Sequence, residues 1–241
     1  MCGRYAITLP PEAVRAFFAY LEQPNFPPRY NIAPTQPIPL IMAGPRSGGR
    51  ERHFLLARWG FLPGFVKDPK AFALIINARA ETLAEKPSFR AALKRRRCLV
   101  IADGFYEWRR EGAAAKGPKA AFLIRRLDRA PMGFAGLMET WSDPSGGEID
   151  TACIVTTSAN RLIASIHDRM PALIEPEAFH SWLDNDGVSV PEATALLRPA
   201  PERDLELVPV GAAVNRVAND DPSLQVPIGD AIRAAPSDKA G

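Results

Sequence analysis

The sequence predicts an α+β domain, with a mixed or antiparallel, barrel-like β-sheet at its core and helices at its periphery. Three observations carry this. Short apolar runs outnumber amphipathic helical stretches. The two do not alternate in regular strand–helix–strand order, which a purely parallel sheet would need. Proline occurs 24 times among 241 residues, dividing the chain into many short elements joined by rigid loops.

Taken in order, residues 11–22 read as an amphipathic helix, because Val14, Phe17, Phe18 and Leu21 recur at helical spacing. Residues 24–39 form a proline-studded loop that leads into a strand at 37–42, and the glycine-rich stretch 44–49 turns the chain. A second strand is expected at 53–59, and the apolar run 71–76 reads as a buried strand. Residues 88–97 look helical, with Phe89 and Leu93 inward and the basic run Lys94 to Arg97 outward. Cys98-Leu99-Val100-Ile101-Ala102 reads as a strand stopped by Asp103-Gly104, with further strands at 120–125, 132–137 and 152–157. Asn160 is placed to cap a helix running to Ile166, and 177–183 reads as another helix. The expected domain covers 2–229, followed by a flexible tail at 230–241.

A chain with 46% hydrophobic and 24% charged residues can bury a real core without disulfides. The composition excludes a collagen, a coiled coil and wholesale disorder. Thirty Lys plus Arg against 27 Asp plus Glu leave a net charge of +3, which permits a polyanionic partner without requiring one. No apolar run approaches the roughly 18 residues of a membrane span, and the first residues lack a signal-peptide pattern. The three cysteines, Cys2, Cys98 and Cys153, are odd in number and far apart. That pattern fits free thiols in a reducing, cytoplasmic setting, and a monomer is the default expectation. Cysteine and histidine spacings match no metal site, and no Walker or dinucleotide fingerprint is present, so no cofactor is expected.

Cys2 opens the chemical reading. Initiator methionine is normally removed when the next side chain is small, which would leave an N-terminal cysteine with a free amine. Such a 1,2-aminothiol condenses with an aldehyde to an imine, onto whose carbon the sulfur closes a five-membered thiazolidine. With a pKa of about 7.7–8.0, an α-amine is partly neutral, and so nucleophilic, at neutral pH. In Asn77-Ala78-Arg79-Ala80-Glu81, alternation puts an amide, a guanidinium and a carboxylate on one face. In Asp103-Gly104-Phe105-Tyr106-Glu107-Trp108, Glu107 sits among three aromatics, whose desolvation would raise its pKa and make it a usable proton shuttle. His167, at a helix end, suits acid–base work near neutrality, with Asp168 placed to orient it. His53 and His180 read as structural or surface residues. Each of these also has an ordinary reading: a solvent-facing residue, a strand end, an edge carboxylate paired with arginine, or a structural histidine.

Six motifs in order resemble the SRAP family (SOS response-associated peptidase domain), the abasic-site processing proteins. They are Met1-Cys2-Gly3-Arg4-Tyr5, Tyr30-Asn31-Ile32-Ala33-Pro34, Trp59-Gly60-Phe61-Leu62-Pro63-Gly64, Ile76-Asn77-Ala78-Arg79-Ala80-Glu81, Ala102-Asp103-Gly104-Phe105-Tyr106-Glu107-Trp108 and His167-Asp168-Arg169-Met170-Pro171. The resemblance implies one α+β domain with a positively charged DNA groove. It also implies covalent capture of abasic sites in single-stranded DNA through Cys2, with associated lyase and self-reversal chemistry during DNA repair. It assigns Asn77 to positioning the deoxyribose and amine, Glu107 to proton shuttling, and His167 to acid–base work on the sugar. Arg4, Arg79 and Arg169 resemble phosphate clamps, and Asn31, Pro34 and Thr156 lesser groove contacts. Trp59, Phe65 and Arg161 are further expected DNA contacts, as stacking surfaces or a basic side chain. Where the family often carries a tryptophan pair, this chain reads Phe65-Val66. Two other readings remain open: a cysteine-type autopeptidase using Cys2, Glu107 and His167, and a non-covalent single-stranded DNA binding module. Association with replication-fork proteins or the nucleoid is a further expectation of the first reading.

Overall fold

The structure is a computed structural model that describes residues 2–110, 119–143 and 145–235. In chain order the first strands are β1 (Tyr5–Ile7), β2 (Arg29–Ile32), β3 (Pro37–Ala43), β4 (Arg52–Trp59), β5 (Asn77–Arg79), β6 (Arg97–Ala102) and β7 (Gly104–Arg110). They are followed by β8 (Lys119–Arg126), β9 (Met132–Ser142), β10 (Glu148–Ser158), β11 (Arg169–Pro171), β12 (Leu173–Ile174), β13 (Leu205–Val210) and β14 (Ile232–Arg233). The α-helices are short: α1 (Pro11–Phe18), α2 (Pro87–Arg95), α3 (Arg161–Ala164), α4 (Phe179–Leu183) and α5 (Val190–Thr194).

Five strands close on themselves in the cycle β10-β4-β3-β6-β9-β10, which is the expected barrel. The ladders are antiparallel except where β10 runs parallel to β4 and β5, so the sheet is mixed. A second, antiparallel sheet has the order β14-β13-β8-β7-β1-β2. Side chains of β6 are buried on both faces, which is why Cys98 to Ala102 form an unbroken apolar run rather than an alternation.

Several expected elements end elsewhere, each for a local reason. The first helix stops at Phe18 because Ala19 turns left-handed (φ 53°, ψ 45°) and its N–H bonds back to the Arg15 carbonyl. Leu21 is therefore outside it and exposed. The run 71–76 is not a buried strand. It is mostly irregular, with a single bridge from Phe61 to Ile75, and the paired strand starts at Asn77. Arg97 does not point outward with its basic neighbours. It is fully buried, donating to the carbonyls of Leu93 and Trp182 at 2.9 and 2.6 Å, to Val188 at 3.2 Å, and to Asp184. Asn160 does cap α3, accepting from the Ile163 N–H, but the helix ends at Ala164. The domain continues past residue 229: β14 pairs with β13, and Arg233 bonds to Glu206 at 2.8 Å. The last part of the expected tail lies outside the described residues.

Among the described residues no helix is long and apolar enough to cross a membrane, and no cluster of three His, Cys, Asp or Glu side chains has the arrangement of a metal site.

Candidate functional site

The start of the chain is threaded between the two sheets. β1 pairs antiparallel with β7, Tyr5 facing Phe105, and the Tyr106 N–H donates to the Arg4 carbonyl. Continuing that register brings Gly3 opposite Glu107. On the other side, the Asn77 amide Nδ2 donates to the Cys2 carbonyl at 2.8 Å. Asn77 is held by the parallel ladder of β5 on β10, where it faces Ile154. Thus one residue of the barrel fixes the backbone of the second residue of the chain.

Cys2 itself is fully buried, although an aminothiol that meets an aldehyde from solution calls for an exposed sulfur. Burial pushes its thiol far above the ordinary value, and the nearby Glu107 carboxylate adds to the shift. In the chain as it stands residue 1 is attached, so the Cys2 nitrogen is an amide. The amine exists only after that residue leaves.

Glu107 is 3% exposed, and burial raises its pKa, as the aromatic surroundings in the sequence suggested. His167 counters this rise and Asp168 adds to it, which puts all three within electrostatic reach of one another. His167 meets the residue expected to orient it, its Nδ1 lying 3.0 Å from Asp168 Oδ1. Its Nδ1 accepts the Arg169 backbone N–H at 3.0 Å. One ring nitrogen thus faces both a backbone donor and a carboxylate. Asp168 is itself 85% exposed.

A cleft of about 790 Å³ opens beside these groups, lined by Glu107, Trp108, Arg109, Lys119 and His167. A second hollow of about 440 Å³ shares Trp108 and Lys119 and adds Arg4 and Asn215. Arg109 was legible from strand alternation with Glu107. Lys119 and Asn215 carried no sequence signal, since both reach the cleft from distant elements.

The expected DNA contacts divide sharply. Arg4 lies along the cleft, with Nη1 donating to Asn31 Oδ1 at 2.7 Å and to the Val214 carbonyl at 2.9 Å, and its guanidinium 5.8 Å from the Trp108 ring centre. Arg79 is exposed and makes no ion pair among the described residues. Phe65 is 61% exposed, and Pro34 half-buried. Arg161 is exposed, 3.7 Å from Glu202.

Four others serve the framework. Trp59 is fully buried with its ring edge-on to Tyr5, so no base can stack on it. Asn31 is fully buried; its Nδ2 donates to the carbonyls of Val214, Arg216 and Asn219, stitching β2 to the 214–219 segment. Thr156 is fully buried, its hydroxyl 3.4 Å from the Ala78 carbonyl. Arg169 is locked in a two-pronged pair with Glu81 at 2.7 and 2.9 Å and donates to the Thr156 carbonyl at 2.6 Å. Both of its terminal nitrogens are thereby engaged.

Fold and site together define an α+β barrel protein whose second residue is buried, its carbonyl held by Asn77. The family described as SOS response associated peptidase (SRAP) matches residues 1–217. The chain belongs to that family. It is 37% identical over 227 residues to the abasic site processing protein YoqW of Bacillus subtilis (strain 168), covering 93% of this chain and 98% of that one. With the abasic site processing protein HMCES of Gallus gallus it shares 32% identity over 264 residues, 95% of this chain and 78% of the relative. A crystal structure of a protein from Bacteroides thetaiotaomicron superposes with a TM-score of 0.81 at 27% identity, covering 92% of this chain and 98% of that one.

Proposed function

We propose that this protein processes abasic sites in DNA by capturing them covalently, in single strands, as a thiazolidine on Cys2 once Met1 has been removed. The single observation that carries this reading is the Asn77 amide holding the Cys2 carbonyl at 2.8 Å, beside the buried Glu107. A backbone clamp on the second residue serves a reaction at that residue's own nitrogen; a peptidase thiol would need only its side chain.

The abasic sugar opens to an aldehyde. The Cys2 amine adds to its carbon, and loss of one water leaves an imine. The Cys2 sulfur then bonds to the same carbon, and the thiol proton passes to the nitrogen, closing the ring. Glu107, its pKa raised by burial, can give a proton to the departing hydroxyl and take one from the incoming thiol. His167, beside Asp168 and lining the same cleft as Glu107, can protonate the sugar oxygen as the ring opens. From the imine, loss of a proton at sugar C2′ with departure of the 3′ phosphate would cleave the strand, which is the lyase branch. Arg4, Arg79, Arg109 and Lys119 supply positive charge for the phosphates. A single strand lets the target sugar enter without the cost of unpairing a duplex.

Burial that raises the Cys2 thiol argues against a free-standing thiolate peptidase. Incubation with an abasic oligonucleotide followed by intact-mass measurement tests the proposal. The expected product has the mass of protein lacking Met1 plus oligonucleotide minus one water. It should be missing with Cys2→Ala and when a residue is retained before Cys2. A correctly trimmed protein that forms no adduct overturns the reading, and an equal, salt-reversible affinity for intact and abasic strands leaves only a binding module.

A further inference from the structure

We infer that Trp59 is a positioning residue for the proposed reaction at Cys2, acting through Asn77; the inference rests on the function proposed above. Asn77 must present its amide to Cys2 at a fixed angle, yet the segment before it, 71–76, is irregular and partly exposed. What holds the junction is the Ile76 carbonyl. It accepts two hydrogen bonds, one from the Ile154 N–H of β10 at 3.0 Å and one from the Trp59 indole Nε1 at 2.9 Å. Both lone pairs of that oxygen are thus used, which fixes the plane of the peptide joining Ile76 to Asn77. The Ile154 bond alone leaves that plane free to rock about one contact.

The indole is itself held. Trp59 is fully buried, its ring lies edge-on to Tyr5 with centroids 5.4 Å apart, and its backbone N–H donates to the Gln36 carbonyl at 2.9 Å. Tyr5 lies three residues from Cys2 on the same strand path. The contacts therefore close a loop: Cys2 carbonyl, Asn77, the Ile76 peptide, Trp59, Tyr5 and back along the chain to Cys2. The Asn77 Oδ1 in this loop is buried and accepts no hydrogen bond among the described residues, which leaves it available for the amine or a sugar hydroxyl. An amide that must serve two partners at once loses both when its backbone plane drifts.

The chain contains its own control. Trp182 is also fully buried, and its Nε1 donates to the Cys98 carbonyl at 2.7 Å on β6, with no link to Asn77. Trp59→Phe and Trp182→Phe each remove one indole-to-carbonyl bond and the same volume. Both should lower the melting temperature. Only Trp59→Phe should slow the maximal rate of adduct formation, by about tenfold or more, as expected of small misplacements of reacting groups. The oligonucleotide concentration giving half-maximal rate should stay within twofold of wild type, because no phosphate contact has changed. Intact mass confirms Met1 removal in each protein. If Trp59→Phe does not fold, 3-benzothienylalanine at position 59 keeps the ring volume and puts sulfur in place of the N–H. Either replacement reacting at the wild-type rate overturns the inference, as does an equal slowing by Trp182→Phe. Wild-type protein that forms no adduct instead overturns the proposed function itself.

Discussion

At Glu107 the proposed function is set against stability in a single side chain. A carboxyl raised by burial keeps its proton in the folded chain at pH values where the unfolded chain has lost it. Its ionisation therefore opposes folding: the stability present below its ordinary value of 4.5 declines as pH rises through the folded value. Glu107→Gln should melt at a higher temperature than wild type at pH 7.5, with the gap closing as pH falls towards 4, while adduct formation slows at every pH. Thermal melts across that range check the first part and adduct kinetics the second. Phe65 is the complementary case, 61% exposed. Phe65→Ala should weaken non-covalent binding of single-stranded oligonucleotides severalfold in fluorescence anisotropy, on the scale of about 1 kcal/mol for a lost base-stacking surface, without moving the melting temperature. At this scale the sequence was informative wherever chemistry is written in residue type. Cys2, Asn77, Glu107 and His167 converge on one region. It was misleading where burial decides: Trp59, Asn31 and Thr156 are of the types that line DNA grooves, but the fold encloses them. No single-residue reading separates a tryptophan that stacks on a base from one that fills a barrel.

Among the elements, α2 and β6 meet at Arg97, whose guanidinium lies in a cage of main-chain carbonyls from Leu93, Trp182, Asp184 and Val188. Removing it strands several buried acceptors at once. Arg97→Ala should cost roughly 3 kcal/mol or more in urea unfolding. Arg97→Lys should recover only a minor part, since one ammonium cannot span the same fork of acceptors. The basic run gave no hint of this, because its three other members are on the outer side of the turn and only register assigns Arg97 to the strand. Strand β4 carries a pH-dependent contact: His53 lies between Glu22 and Glu51, at 2.7 and 2.9 Å, and these bonds raise its pKa. Its contribution is present below the ordinary value of 6.5 and fades as pH rises through the folded value. His53→Gln should therefore flatten the stability profile across neutrality, measured as melting temperature against pH. Apolar runs located β3, β4, β6, β8, β9 and β10, all of which but β4 bury at least four consecutive residues. They passed over β1, β2 and β13, whose short or mixed sequences become strands only through partners far along the chain.

Over the whole molecule, the feature that sets everything else is how late the start of the chain acquires its surroundings. β1 waits for β7, and Asn77 is held through β10. Until Glu148–Ser158 has been made, the second residue has no enclosure. At synthesis rates of about 5–20 residues per second, this leaves an interval on the order of ten seconds in which a ribosome-bound aminopeptidase meets a loose end. Afterwards Cys2 is enclosed. On the function proposed above, trimming would then be a race against translation, and a chain that lost it would emerge folded, intact and chemically silent.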